Sequence, residues 1–351
     1  MKLFPRQSRR GFAVLVALVA VAVLSMLAGA LAIFMKVESQ LAQNGNDNEE
    51  LLWLGRAGVE RACWILANEP PGPTSLQQIW AGGGGVGAET NGPLMGISLD
   101  SFPVGDGAVS LHLVEQESKI NVNGADSQLL QQVLTSMGAD AGVLSVVADS
   151  IQDWVDADNA TRPAGAESDY YQGLTPPYYA KDAPIDDIEE LQLIKGVTPE
   201  MFKGGPPPGG SSPFHHKLGF GNAPGQEPDY AFGLRDVLTP YSNGKINVNT
   251  ADANVLTCIP GVDATAAQNI ITFRSSQNTM DNSTGVIRDL NQLTTFIPNP
   301  LGQQQVGRYC AVGGSTYEVH ATAQAGLSGR EFVAVVFRAD NGVQIFSFHP
   351  K

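Results

Sequence analysis

The sequence predicts an α+β fold: a long N-terminal helix, half in lipid and half packed on an antiparallel sheet, with a large and mostly helical insertion interrupting that sheet. Three observations predict it. Residues 12–35, FAVLVALVAVAVLSMLAGALAIFM, carry no charge and run on into a segment with helical spacing of apolar residues. The phrase KINVNGAD at 119–126 returns as KINVNTAD at 245–252, each time ahead of a helix-like run. Finally, YEVHATAQA, EFVAVVFRA and VQIFSF follow one another from residue 317, separated by turn residues.

The chain of 351 residues is long enough for two or three compact units, and its 43% hydrophobic content argues against general disorder. The formal net charge is -14, yet Lys2, Arg6, Arg9 and Arg10 open the chain with no acid among them. An acidic remainder repels phosphate backbones, which sets generic nucleic-acid binding at a disadvantage.

The N-terminal helix comes first. About 20 apolar residues suffice to cross the hydrocarbon core, and residues 12–35 exceed the 7 to 15 of a signal peptide's apolar region. The basic end precedes this span, so the inside-positive rule places the acidic body across the membrane. Beyond the span, Leu51, Leu54, Ala57, Gly58, Ala62, Ile65 and Leu66 recur at helical spacing opposite Glu49, Glu50, Arg56, Glu60 and Arg61. NGNDN at 44–48 predicts a kink or frayed turn, since Gly costs about 1 kcal/mol relative to Ala.

The RRGF junction at 9–12 resembles the cleavage site of type IV prepilin-like proteins. That resemblance implies a prepilin peptidase that cuts after Gly11 and methylates the new terminus at Phe12. GRAGVERA at 55–62 is similar to the AxAGxExA pattern of pilin-type helices. Such proteins carry glutamate at the fifth mature position, where this chain has Val16. A carboxylate at bilayer depth costs about 2.5 to 3.5 kcal/mol unless a partner offsets it. A subunit with nothing above it in a filament has no use for that glutamate.

Each KINVN phrase alternates as a short half-buried strand would, and Asp126 or Asp252 can then begin a helix. IPGVDATAAQNIITFR at 259–274 resembles a helix-hairpin-helix, and the GVT of LQLIKGVTPEMF at 191–202 reads as its companion in the first copy. Hairpin turns of this kind can seat a phosphate on backbone amides, but GVDAT has no nearby Lys or Arg and holds Asp263.

Between the copies, DW, DAD, RP, GAE, DYY and PPY occur in that order within residues 153–178. This segment, with RRGF, the missing glutamate and the doubled phrase, closely resembles the K-type minor pseudopilins of type II secretion systems over roughly residues 9 to 260. The resemblance implies a pilin-like head carrying an insertion of two sterile-alpha-motif-like modules. It also implies a place at the pseudopilus tip beside I-type and J-type minor pseudopilins and the major pseudopilin, where folded exoproteins are moved. Asp153, Asp156, Asp158, Glu167 and Asp169 are candidates to converge on a hard cation. The resemblance implies calcium, although the EF-hand pattern is absent, and acids near turns also serve as helix caps and solvated surface.

The remaining stretches complete the plan. AGGGGVGAETNGP at 81–93 and GGPPPGGSSP at 204–213 read as loops, and GAVSLHLVEQ at 107–116 joins the closing strands, whose last hairpin carries Asn341-Gly342. The expected organisation is a leader at 1–11, a transmembrane helix at 12–35 and the first part of the head at 36–118. A helical module at 119–205, a linker at 206–242, a second module at 243–298 and closing strands at 299–351 follow. Cys63, Cys258 and Cys310 fit no zinc or CxxC spacing; Cys258 and Cys310 are the candidate disulfide, and three separate packing residues are the alternative. The five histidines show no ligand spacing, and no GxSxG or phosphate loop supports an enzyme. The expectation is therefore a single-pass inner-membrane subunit of an envelope-spanning secretion filament, against the alternative of a membrane-anchored DNA-binding or DNA-uptake protein.

Overall fold

The computed structural model describes residues 10–83, 93–204, 230–276, 285–339 and 341–351. The chain opens with α1 (Arg10–Asn68), then β1 (Phe102–Val104) and β2 (Gly107–Glu115). A first series follows: β3 (Ile120–Asn121), α2 (Ser127–Met137), α3 (Ala141–Val155), α4 (Ser168–Gln172), α5 (Pro199–Lys203), α6 (Leu234–Val237) and β4 (Leu238–Thr239). A second series holds β5 (Ile246–Asn247), α7 (Ala253–Thr257), α8 (Ala264–Ser275), α9 (Pro300–Tyr309) and β6 (Cys310–Ala311). The chain closes with β7 (Thr316–Ala325), β8 (Ser328–Ala339) and β9 (Gly342–Pro350).

The head is a pilin-like α+β unit. Its antiparallel sheet has the order β1-β2-β7-β8-β9, so strands on either side of a long insertion lie side by side, with Val109 opposite Ala323 and Leu113 opposite Val319. The second half of α1 covers one face: Leu51, Leu54, Val59, Ala62, Ile65 and Leu66 bury against Leu111, Ala321, Phe332, Ala334 and Val336. Each fully buried side chain of this size contributes about 1.5–3 kcal/mol, which holds helix to sheet. Gly55 and Gly58 permit the close approach, since a Cβ there would strike the Phe332 ring or Val109. The strands at 107–116 and from 317 onward stand where alternation predicts them, and β1 is an addition too short to show it. The last hairpin pairs Ala339 with Gly342, so Gly342 is already a strand residue.

α1 is helical throughout its 59 residues, including 44–48. This corrects the expected frayed turn. The cost of one glycine is small beside the cooperativity of a long helix whose later turns are anchored on a sheet.

The insertion has its own apolar core, separate from that of the head. It is built twice on one plan. In each copy the KINVN strand is closed by a parallel two-residue strand from the far end of the copy: Ile120 pairs with Leu238, and Ile246 with Cys310. The first asparagine accepts from the backbone N–H of the second, at 2.8 Å for Asn121 and 3.0 Å for Asn247. The second asparagine grips a distant isoleucine at both backbone groups. Asn123 donates to the Ile185 carbonyl (3.0 Å) and accepts from its N–H (2.7 Å); Asn249 does the same with Ile287 (2.9 and 2.8 Å). Asp126 and Asp252 then cap α2 and α7, accepting from Leu129 and Val255.

After that first helix each copy turns at a left-handed glycine, Gly138 (φ 92°) or Gly261 (φ 84°), and enters the next helix two residues after an apolar residue turned to the core, half-buried Ala139 or buried Val262. The partner of the 259–263 turn is thus at 136–140. Gly196 of the GVT stretch, also left-handed (φ 86°), leads instead into α5 behind the Thr198 cap. The likeness continues from the gripped isoleucines: IDDIEEL (185–191) and IRDLNQL (287–293) each place a short 3-10 helix behind a capping aspartate, Asp187 or Asp289.

The second copy ends with one helix, α9, where the first has two pieces, α5 and α6. Residues 205–229, which include most of the stretch read as a linker, lie outside the described residues. Gly204 and Gly233 on either side are in backbone contact, and Leu238–Thr239 closes the first copy. The long connection therefore leaves and re-enters the first copy, and does not simply separate the two. Sequence could not show this, because the closing bridge joins residues more than a hundred positions apart.

Cys258 and Cys310 are separate buried thiols, as is Cys63, in place of the candidate disulfide. Both fill the insertion core, where burial pushes each thiol up to about 12.

Candidate functional site

The acid-rich segment begins where α3 ends. Asp156 is the C-terminal cap of α3 and Glu167 the N-terminal cap of α4, so two helix ends bring their carboxylates together across the loop between them. Asp158 joins them from the loop, and the three offer oxygens that all lie within 4.8 Å of one another. Glu167 is only 4% exposed, and neither of its oxygens has a hydrogen-bond partner; Asp156 Oδ1 is likewise buried and unpartnered. Burial first, then the charges of Asp153, Asp182, Asp156 and Asp158, push the Glu167 carboxyl up to about 7. Buried unpaired carboxylates of this kind are costly unless a cation joins them. An all-oxygen set on one side of a helix junction suits calcium, which takes six to eight oxygen ligands and tolerates irregular geometry.

The other two predicted ligands stand apart from this trio. Asp153 is fully buried and accepts from the Arg162 guanidinium (2.7 Å) and the Arg162 N–H (3.2 and 3.3 Å). Asp169 is exposed in the first turn of α4. Sequence reasoning missed Asp182, which acts on Glu167 and has a buried unpartnered Oδ1 at a left-handed position (φ 49°). The aromatics behind the loop are packing residues: Trp154 stands edge-on to Tyr171 at 5.3 Å, and Tyr178 stacks on Tyr171 at 5.2 Å.

The junction expected to be processed, Gly11-Phe12, lies in the first turn of α1. Residues 1–9 of the leader are outside the described residues; Gly11 and Phe12 are helical, and Phe12 is 75% exposed. Val16 stands among the exposed apolar residues of the span Val14–Ser39, no part of which is buried against protein.

The helix-hairpin-helix turn is occupied by the protein itself. Asp263 accepts from the Ala266 N–H at 2.8 Å, which uses an amide a phosphate would need, and Gly261 packs backbone to backbone against Gly302. The one charge seated in the turn is negative.

A second carboxylate cluster, unforeseen in the sequence, sits where the insertion leaves and rejoins the head. Glu115, 1% exposed, accepts from Asn247 Nδ2 (3.0 and 2.9 Å) and from the Thr250 hydroxyl. Glu117, fully buried, accepts from the Thr316 N–H (3.0 Å) and hydroxyl (3.1 Å). Gly314 leaves them room, since a Cβ there would strike both. Burial drives Glu115 up to about 8 against the lowering effect of its hydrogen bonds. The acids were legible only as strand-end polar residues; their partners come from more than a hundred positions away.

Comparison with known proteins matches this architecture. The family "Type II secretion system (T2SS), protein K" matches residues 110–204, and a helix-hairpin-helix motif family matches residues 242–285. Type II secretion system protein K of Pectobacterium carotovorum is 24% identical over 206 residues, covering 56% of this chain and 61% of the relative. That of Klebsiella pneumoniae is 23% identical over 211 residues, with 56% and 60% covered. The chain thus aligns with about three fifths of the length of these relatives. A solved structure, the GspK-GspI-GspJ complex from enterotoxigenic Escherichia coli, holds a chain superposing with a TM-score of 0.62 at 15% identity, covering 88% of this chain and 99% of that one, which shows a shared fold. With its domain match inside the insertion and its apolar helix laid on a pilin-like sheet, the chain is similar to the type II secretion system protein K family, the K-type minor pseudopilins.

Proposed function

We propose that this chain is a tip subunit of a type II secretion pseudopilus, a structural rather than a catalytic component that helps drive folded proteins across the outer membrane. The observation that carries the reading is α1 itself. One half is apolar and bare of protein contacts, and the other half is fixed to the sheet, which is the form of a subunit awaiting lateral neighbours in lipid. A prepilin peptidase would cut between Gly11 and Phe12 and methylate Phe12. Val16 then offers no carboxylate to a subunit above it, which suits the first position of a filament. Before assembly the helix would hold the chain in the inner membrane with its body in the periplasm.

The partners that fit are I-type and J-type minor pseudopilins, by analogy with the GspK-GspI-GspJ complex, and the major pseudopilin below them. The acidic body would supply the surface for partners and exoproteins. The twofold insertion is read as two modules of sterile-alpha-motif or helix-hairpin-helix type that pack rather than bind DNA. We further propose that Asp156, Asp158 and Glu167 hold calcium, which would neutralise the carboxylates and fasten α3 to α4.

The test is co-expression of the full-length chain with a prepilin peptidase and I-type and J-type subunits, followed by mass spectrometry and affinity purification. A mature chain starting at methylated Phe12, recovered with both partners, is expected. A chain starting elsewhere, or recovered without them, overturns the proposal. Steeply salt-dependent DNA binding would favour the alternative reading.

A further inference from the structure

The Arg162-Pro163 pair stands out in the sequence yet has no place among the ligands, and its geometry gives it one. Arg162 Nη1 pairs with Asp153 Oδ1 at 2.7 Å and also with Asp156 Oδ2. Asp156 thereby has one oxygen committed to the guanidinium, and the other, Oδ1, remains buried and unpartnered beside Asp158 and Glu167. Asp153 is the fixed end of this chain of contacts. It is fully buried, and it holds the arginine at both its backbone N–H and its side chain. A Cβ on Gly165 would collide with the Asp153 carboxylate, so the loop closes tightly over it. Lys195 Nζ donates to the Gly165 carbonyl at 2.8 Å and secures the loop from the other side.

We infer that Arg162 is a positioning residue of the metal centre: by engaging Asp153 and Asp156 together, its guanidinium orients Asp156 so that Oδ1 is presented to the cation. The inference rests on the calcium reading above. It reassigns Asp153 from ligand to support, the outer-shell role that fixes an inner ligand's orientation.

Charge and geometry predict opposite outcomes for this residue. By Coulomb's law alone a nearby guanidinium repels a cation, so removing it would tighten binding. Positioning predicts the reverse, because an Asp156 released from its tether must be ordered by the metal. Lysine separates the two further, since it keeps the charge but carries it on a shorter, freely turning ammonium in place of a guanidinium whose plane fixes the direction of Nη1, the atom that meets both carboxylates.

The experiment is calcium titration calorimetry on the full-length chain in detergent, comparing wild type with Arg162→Gln, Arg162→Lys and Glu167→Gln, and recording each metal-free melting temperature. Arg162→Gln is expected to weaken calcium binding by about 10- to 100-fold, the range of outer-shell substitutions. Arg162→Lys is expected to weaken it too, with a metal-free melting temperature close to that of wild type, and it decides the matter if the glutamine variant does not fold. Wild type that binds calcium, with Arg162→Lys equal to it or Arg162→Gln tighter, overturns the inference alone. Wild type that takes up no calcium, like Glu167→Gln, overturns the calcium reading and this inference with it.

Discussion

Glu115 joins burial to titration at a single residue. Its carboxyl is held at about 8 by burial, above the ordinary value of 4.5, so between those values the folded chain keeps a proton that the unfolded chain has lost. The unfolded state then binds fewer protons, and stability falls as pH rises through this window by up to about 1.4 kcal/mol per pH unit from this one group. Above about pH 8 the contribution levels off. Glu115→Gln lacks the titration. Urea unfolding at pH 5.5, 6.5, 7.5 and 8.5 should show wild type losing ground to the variant with each step, and lines that stay parallel would refute the assignment. This was not foreseeable from local pattern: an acid at the end of an alternating strand is ordinarily solvated, and only the fold brings Asn247 and Thr250 to it. Asp153 was misread for a related reason. Its type and spacing were legible, but its partner Arg162, nine positions on, was not recognised as the group that claims it.

At the scale of elements, the doubled phrase is explained by what its asparagines do. Asn123 and Asn249 each satisfy both backbone groups of an isoleucine that enters the copy as an irregular segment with no ladder of its own. Truncating such a residue strands a buried donor and acceptor at about 1–3 kcal/mol each. Asn249→Ala is therefore expected to destabilise by about 2–4 kcal/mol by urea unfolding, and Asn249→Asp, which turns a buried carboxylate oxygen onto the Ile287 and Val312 carbonyls, should cost at least as much. A change within about 0.5 kcal/mol would show that the grip is incidental. Strands β7 to β9 and the caps at Asp126 and Asp252 were readable because each is encoded within a few residues. The bridges from β3 to β4 and from β5 to β6 were not, because two-residue parallel strands have no periodicity, and their partners lie a whole copy away.

For the molecule as a whole, two cores hang on one chain that crosses between them at Glu115–Lys119 and returns at Val312–Thr316. The first copy tolerates a long excursion because Gly204 and Gly233 already touch. Replacing residues 206–229 with two glycines should leave the melting temperature within about 2 °C of wild type, since closing a shorter loop costs, if anything, less entropy. A loss of more than about 8 °C would mean that the excised residues pack on the body. Pilin-like head, insertion and membrane helix were all legible from composition and pattern; the way the copies interleave with their connections was not.

The unbroken α1 has a mechanical meaning. At about 1.5 Å per residue its 59 residues make a rod of about 89 Å, rooted in lipid at one end and riveted to the sheet at the other. Its helical turns run unbroken from Arg10 to Asn68, so no loop divides the bare apolar half from the half fixed to the sheet.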